Sequence, residues 1–457
     1  MRIARPIENA LRLSVIEGSF FGVYWNIILV IVINGLAIAL NATELQLAVL
    51  NSLPLLSNMF GLPAARIIQS RDIRKPFVIV VELISRTAWL GILFILLLPD
   101  NPTLRVWFII FVTALSHLAH AGGVVGWLSW ISDVIPEQIR GIYFGVRTAV
   151  TGIIGLIGLT IASSWADKIK EQTDSGPGYF NTLYILLVVG FIFAMFSLVI
   201  LYLQPVRRMK NMVTSGWKAI WETLTSPNGK KIAVTWIAIW ISTGVTTGIY
   251  MQFFLNKLEL SWMGITAYIW IVHTTSTLIS PVMGRLSDRF GYRNVLMVSW
   301  LGVFWQPLLS VFTPNDMHHI FGLMPFTIFI DAIACGVFWP AVNITLNNIV
   351  IAETTSEKRA GFFGALTAMG GISGFTAATL AGILATEIGT NTFTVAGIPL
   401  DNLRTPLLIG SILRFFAGLL ILTIKEPPRK KGQITSSEAF NTVWRVLTGK
   451  PTGRVRL

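Results

Sequence analysis

Charge is scarce in this 457-residue chain: only 12% of its residues are Asp, Glu, Lys or Arg, where soluble domains carry about a quarter. A water-facing surface needs those charges. Their shortage excludes a soluble enzyme and requires an outer surface that faces something apolar. Cysteine is almost missing as well. The single Cys335 sits inside an apolar run, which excludes an intrachain disulfide and with it a secreted, disulfide-stapled domain. The N-terminus lacks the short apolar core and small-residue cleavage site of a signal peptide, so the first apolar run is expected to stay as a membrane span. Strand-like alternation at period two is absent too.

What is present is apolar length. Hydrophobic residues make up 53% of the chain, and a helix needs roughly 20 of them in a row to cross the hydrocarbon core. Such runs fall near 18–40, 44–68, 76–98, 104–130, 141–164 and 181–203, then near 231–254, 262–283, 294–312, 319–346, 361–385 and 405–424. Helices are the expected element because lipid cannot satisfy an open backbone. The formal charge of +13 does not point to nucleic acid, because the basic residues occupy short loops between apolar runs. With the N-terminus inside, 28 of the 35 Lys and Arg lie on the inner side, and Arg105, Lys168, Lys170, Lys257 and Arg404 lie outside. The positive-inside rule therefore puts both ends in the cytoplasm and demands an even number of spans. The expected fold is an all-α membrane protein of twelve transmembrane helices.

The expected organisation is a cytoplasmic segment over 1–17, a six-helix bundle over 18–203, a linker over 204–230, a second bundle over 231–425 and a basic tail over 426–457. Trp217, Ile220 and Trp221 in the linker read as an amphipathic helix on the inner leaflet. Phe440, Val443, Trp444 and Val446 in the tail have the spacing for another, although a solvated tail is the plainer reading.

The two bundles repeat each other. Residues 140–155 align without gaps to 359–374 with eight of sixteen positions identical: Arg140/Arg359, Phe144/Phe363, Gly145/Gly364, Thr148/Thr367, Ala149/Ala368, Gly152/Gly371, Ile153/Ile372 and Gly155/Gly374. Each stretch opens the fifth helix of its half, as parallel repeats about an axis normal to the membrane require. Between the eighth and ninth runs lies Gly284, Arg285, Leu286, Ser287, Asp288, Arg289, Phe290, Gly291, Tyr292, Arg293. This resembles the signature loop of the major facilitator superfamily, Gly-x-Leu-x-Asp-Arg-x-Gly-Arg-Arg/Lys, with Tyr292 where a basic residue is usual. Gly284 and Gly291 are expected to permit a tight, packed turn, Asp288 to lie by a helix N-terminus, and Arg289 and Arg293 to stay in the headgroup zone. The corresponding first-half loop, 61–75, keeps Arg71, Arg74 and Lys75 but not the second glycine.

The resemblance implies two pseudo-symmetric six-helix bundles, alternating access and a central cavity lined by the first, fourth, seventh and tenth helices. It also implies that the Gly284–Arg293 loop latches the halves on the cytoplasmic side, with Arg140 and Arg359 at equivalent gating positions. Polar residues on cavity helices then matter most, since an ion at the bilayer centre costs roughly 2.5–3.5 kcal/mol on insertion scales. His117 and His120 share a face of the fourth helix with Trp127 below them, and an imidazole suits a proton carrier or a solute contact. Asp331 lies midway along the tenth helix, followed by Trp339, a break at Pro340 and Asn343, with Arg414 on the twelfth as its expected partner. Glu82 and Arg86, four apart on the third helix, read as a structural pair. Asn26, Asn34, Tyr250 and Gln252 are further solute contacts, whereas His273 reads as packing. Asp133 and Glu137 fit as gating charges beside Arg140.

The expected function is a secondary transporter of a small solute, coupled to protons through His117, His120 and Asp331. It would sit as a monomer in the inner membrane, with lipid, solute and protons as partners and no cofactor, metal or nucleic acid. Multidrug efflux is the alternative within the fold, weakened because the fifth helix has Gly152, Gly155 and Gly158 but no proline. A lipid-acting membrane enzyme lacks an evident catalytic set, and a sensor that lost transport has only the eroded first-half loop in its favour.

Overall fold

The computed structural model describes residues 5–71, 74–134, 140–173, 177–205, 217–314, 317–395 and 398–425. Long helices dominate them. The first six spans are Ala10–Ala39, Glu44–Ile68, Arg74–Leu97, Pro102–Ile131, Tyr143–Gln172 and Gly178–Leu203. In the second half the spans are Pro227–Lys257, Trp262–Phe290, Tyr292–Val311, Phe326–Glu353, Gly361–Ile388 and Arg404–Ile421. Eleven of these are long and apolar enough to cross a membrane. The eighth, Trp262–Phe290, has the length at 29 residues but carries His273, Arg285, Asp288 and Arg289 within it.

Glycines from the sequence repeat set how the helices meet. In the first half, a side chain on Gly155 would sit 3.0 Å from the Gly22 carbonyl of the first span. In the second half, its counterpart Gly374 packs its carbonyl on Gly244 of the seventh span. One turn away, Gly152 abuts the His273 ring of the eighth span, and its counterpart Gly371 abuts the Leu55 carbonyl of the second. The fifth and eleventh spans therefore each contact their own half through one repeated glycine and the opposite half through another. That matched packing is the pseudo-twofold relation expected from the repeat.

Several element boundaries differ from the sequence reading. The first helix begins at Arg5, inside the segment read as cytoplasmic, and its span at Ala10 places Glu17 within it. Residues 319–325, read as the start of the tenth span, form a hairpin of β1 (His319–Ile320) and β2 (Met324–Pro325), and the helix starts at Phe326. Gly322 with φ 69° turns this hairpin, and Pro325 ends it at the helix N-cap. The tenth helix then runs unbroken through Pro340 to Glu353, so the expected break there is absent. A second hairpin, β3 (Phe393–Val395) with β4 (Ile398–Leu400), precedes the twelfth span. Asp401 follows it, accepting from the backbone N–H groups of Leu403 and Arg404 at 3.0 and 2.9 Å and pairing with Lys257 at 2.9 Å. Burial works against the Asp401 charge, but the Lys257 ammonium and these N–H groups hold its carboxyl below the usual range.

The signature stretch is mostly helix rather than loop. Gly284 to Phe290 form the last turns of the eighth helix, and Gly291 alone makes the turn, with φ 93° and ψ 149°. A side chain at Gly284 would meet nothing within 4 Å, so that glycine is not packed as expected. Asp288 lies beside the start of the ninth helix, where the Tyr292 hydroxyl reaches it at 3.5 Å, and Arg293 donates to the Ile424 carbonyl at 3.3 Å. Arg285 bonds the Pro281 carbonyl and Arg289 stacks on Phe290. These contacts stay within the second half. At Gly291, φ and ψ fall in a region essentially reserved for glycine. Gly291→Ala is therefore expected to lower unfolding stability by about 1–3 kcal/mol, as measured by thermal denaturation in detergent; an unchanged midpoint would contradict this geometry.

Among the described residues of the linker, Trp217–Thr225 form a helix, with Ile220 buried and Trp221 68% exposed, as an amphipathic surface helix requires. Glu222 of this helix meets Lys358 at 3.6 Å. The tail with Phe440, Val443, Trp444 and Val446 lies outside the described residues, as do Asp72 and Glu137 of the loops and the side chains of Arg71, Asp133 and Arg140.

Candidate functional site

The densest group of charges is buried in the first half. Glu82 and Arg86 pair at 3.2 Å across one helical turn, as expected, but they are not an isolated structural pair. His120 of the fourth span places Nδ1 2.9 Å from Glu82 Oε1. An ionised carboxylate only accepts, so Nδ1 carries the hydrogen and Nε2 is the ring's free acceptor. Arg86 also lies 3.8 Å from Glu17 of the first span and donates to the Ser197 hydroxyl at 3.0 Å, which in turn donates to Glu17 at 3.0 Å. Arg147 of the fifth span pairs with the other Glu17 oxygen at 3.1 Å and lies over the Trp127 ring at 4.3 Å.

Two acids and two arginines thus balance to zero, and a proton on His120 makes the group +1. Gly123 and Gly18 admit this cluster, because Glu82 lies directly against Gly123 and the Arg147 guanidinium against Gly18. The group borders a cavity of about 190 Å³ lined by Phe21, Val124, Trp127 and Leu201 together with the five charged residues.

Aromatic rings cover the histidines. Phe21 stacks on His120 and on Trp25, each with ring centres 5.2 Å apart. Trp25 also meets His117 edge-on at 5.2 Å. The first and fourth spans are thereby joined by a wall of flat rings, with His117 buried and His120 partly open.

The second half holds a polar group of different make-up. Asp331 is 1% exposed and accepts from the Tyr268 hydroxyl at 2.8 Å. Its expected partner Arg414 instead donates to the Val303 carbonyl at 2.8 Å and the Thr246 hydroxyl at 2.7 Å, and no Asp331–Arg414 ion pair is present among the described residues. The rotation of the twelfth helix aims Arg414 at the seventh and ninth spans. Trp339 donates to Gln306 at 3.0 Å and faces Arg414 at 5.8 Å. Asp331 Oδ1, the Tyr250 hydroxyl, Gln306 Nε2 and the Ser310 hydroxyl are buried without a hydrogen-bond partner among the described residues.

The remaining candidates scatter. Asn34 is buried, donates to the Leu29 carbonyl at 2.9 Å and accepts from Asn51 at 3.0 Å, a role explained by the π-helical stretch Ile27–Val32 just before it. Gln252 donates to the Glu44 carbonyl at 3.0 Å, joining the halves rather than facing a cavity. Asn26 is partly open beside Gly155, and Asn343 is exposed three turns beyond Asp331. Arg359 reaches the carbonyls of Ile351 and Thr354, closing the turn after the tenth helix. His273, read as packing, does pack, with its ring against Gly152. Glu17 and Arg147 escaped the sequence reading because both sit at the edge of apolar runs and were assigned to the inner surface.

The halves touch by hydrogen bonds at one end. Asp167 of the fifth span accepts from the Trp262 and Met263 N–H groups of the eighth at 2.8 and 2.7 Å, and the Ser163 and Thr266 hydroxyls meet at 2.7 Å. Trp262 donates to Tyr179 at 2.8 Å, Leu45 N–H to Thr386 at 3.1 Å and Asn402 to Glu44 at 3.0 Å. All of these lie at the end away from Arg5 and Lys425. Toward the other end, side chains on Gly145 and Gly284 of the fifth and eighth spans would meet nothing within 4 Å, while the second and eleventh spans still touch, with Leu62 3.0 Å from a side chain on Gly364.

The architecture is a bundle of long apolar helices in two similar halves, and part of its sequence matches a known family. The family model described as Major Facilitator Superfamily matches residues 255–453. The solved nucleoside transporter NupG is similar at TM-score 0.65 and 12% identity, covering 92% of this chain and 99% of that one. A bacterial homolog of the human lysosomal transporter Spinster, inward-facing and unoccupied, is similar at TM-score 0.59 and 12% identity over 99% of this chain and 100% of that one. The human organic anion transporter MFSD10 follows at TM-score 0.54 and 10% identity over 92% and 100%. No curated protein matches by sequence. The second half of the chain carries the sequence of the superfamily, and the whole chain carries its fold.

Proposed function

We propose that this protein is a secondary transporter that moves a small polar solute across the cytoplasmic membrane by alternating access, coupled to protons, with both termini in the cytoplasm. The observation that carries the reading is the one-ended seam. Among the described residues, hydrogen bonds join two like-built halves at one end and none join the fifth and eighth spans at the other, which suits one state of a rocking carrier. The unbonded end is the one rich in Lys and Arg, so the positive-inside rule favours a state that opens inward.

The solute class follows from the ring wall. Phe21, Trp25 and His120 offer flat faces and His120 Nε2 offers a hydrogen bond, which together suit a planar, hydrogen-bonding ring. The fold similarity to a nucleoside transporter is consistent with such a solute. Asp331, bonded to Tyr268, and the His120–Glu82 pair, joined to Arg86, are the groups assigned here to the proton path.

Uptake into inverted and right-side-out vesicles tests the reading, with a panel of nucleosides, sugars and organic anions and with the proton gradient present or collapsed. Gradient-dependent accumulation of a ring-bearing polar solute is expected. Absence of movement of every solute in both orientations, in protein shown to be folded, would overturn it.

A further inference from the structure

The bonds that close the seam are unequal, and their inequality singles out one residue. Around the second, seventh and eleventh spans each contact is a single bond: Leu45 N–H to the Thr386 hydroxyl, Gln252 to the Glu44 carbonyl and Asn402 to one oxygen of the Glu44 carboxylate. Between the fifth and eighth spans the contact is of another kind. Both oxygens of the Asp167 carboxylate accept backbone N–H groups from the opposite half, at 2.8 Å from Trp262 and 2.7 Å from Met263. These are the first two residues of the eighth helix, whose opening N–H groups have no partner within their own helix. Ser261 already caps this helix from within its own half, its hydroxyl oxygen accepting from the Gly264 N–H at 3.0 Å. Asp167 thus completes, from across the seam, the cap of a helix in the other half.

Charge-assisted bonds to a helix start are the strongest kind available at such a place. Separation of the halves here must expose a carboxylate and two N–H groups together, so the penalty falls on one step. A cavity of about 220 Å³ adjoins the contact, lined among others by Lys170, Tyr179, Asn256 and Trp262. It lets water reach the seam once the bond breaks, so that release and re-formation are both feasible.

We propose that Asp167 is the gating residue of the outer seam: its carboxylate, seated on the first turn of the eighth helix, sets how often the transporter opens at the end away from its termini. This rests on the alternating-access reading above. Asp167 does not touch the ring wall or the Asp331 group, so it acts on the conformational step and not on solute recognition.

The test uses full-length protein in detergent, with Cys335→Ser removing the native thiol and Ser163→Cys, which is 0% exposed, as the reporter. The rate of alkylation by a charged maleimide reads opening of the seam. Asp167→Asn keeps shape but loses the charge and one acceptor, and is expected to raise the rate about ten-fold, Asp167→Glu to restore most of the slow rate, and Lys168→Gln to change nothing. A rise of less than about three-fold with Asp167→Asn overturns the proposal. Should that variant fail to fold, Met263→Pro carries the same test from the other side of the seam. It deletes one donor in the first helical turn, where proline is tolerated. Solute transport measured in parallel separates the two readings. Faster labelling in a protein that moves no solute sinks the transporter and keeps the gate, whereas intact transport with unchanged labelling sinks the gate alone.

Discussion

Arg86→Ala is expected to cost about 3–5 kcal/mol of unfolding stability, the range seen when one member of a buried ion pair is removed. Arg86 is 1% exposed and answers two carboxylates at once, Glu82 at 3.2 Å and Glu17 at 3.8 Å, besides donating to Ser197. Without it, Glu82 Oε2 has no partner and two buried acids face Arg147 and His120 alone. Isosteric neutralisation should fare better. In Glu82→Gln with Arg86→Gln, both charges leave together and the amides can still bond, so the double variant is expected to recover more than half of the loss. Chemical denaturation in a fixed detergent, fitted as a double-mutant cycle, measures both. Strict additivity, or a loss below about 1 kcal/mol for Arg86→Ala, would mean that the cluster is not an interacting unit.

Asp331→Asn is expected to reduce gradient-driven accumulation at least about ten-fold while leaving solute exchange in place. Asparagine retains an oxygen that can accept from Tyr268, so the local structure survives, but it cannot gain or lose a proton. His117 is buried against Trp25 and shares no bond with Glu82 or Asp331. His117→Ala should therefore keep its gradient dependence. Vesicle uptake at matched protein levels, with counterflow as the exchange measurement, compares the two. If Asp331→Asn still accumulates solute against a gradient, proton coupling does not pass through the tenth helix, and the His120–Glu82 pair becomes the place to look.

The architecture was legible in the sequence because lipid leaves the chain few choices. Apolar length marks the spans, Lys and Arg mark the side, and the repeated glycines mark which helices correspond. The structure returns the first and the last of these: its long apolar helices match the runs, and Gly155 and Gly374 do one job in their halves while Gly152 and Gly371 do another. What failed to show was rotation about helix axes. Nothing in residues 404–421 says that Arg414 faces Thr246 and Val303 rather than Asp331, because a helix in lipid can present any face according to its packing. The ionic cluster was half visible for a similar reason. Glu82 and Arg86 are a turn apart and announce themselves, while Glu17 and Arg147 join them only through folding. Gly18 and Gly123, which make room for the charges, look like any glycines in a membrane helix. The Gly284–Arg293 motif falls within the stretch that matches the superfamily model but does not reveal its own shape, since its residues continue a helix and only Gly291 turns.

The paired glycines also say how such a molecule would swing. Gly152 rests on the eighth span, and the fifth helix runs on both sides of that contact as one stiff rod from Arg140 to Thr173. At 1.5 Å of rise per residue, Asp167 is roughly 22 Å from this fulcrum in one direction and Gly145 roughly 10 Å in the other. A tilt about Gly152 would therefore displace the Asp167 tip about twice as far as Gly145. The longer lever ends in the carboxylate grip, so a small tilt set off at mid-depth by a solute against the ring wall would be magnified there into the larger separation.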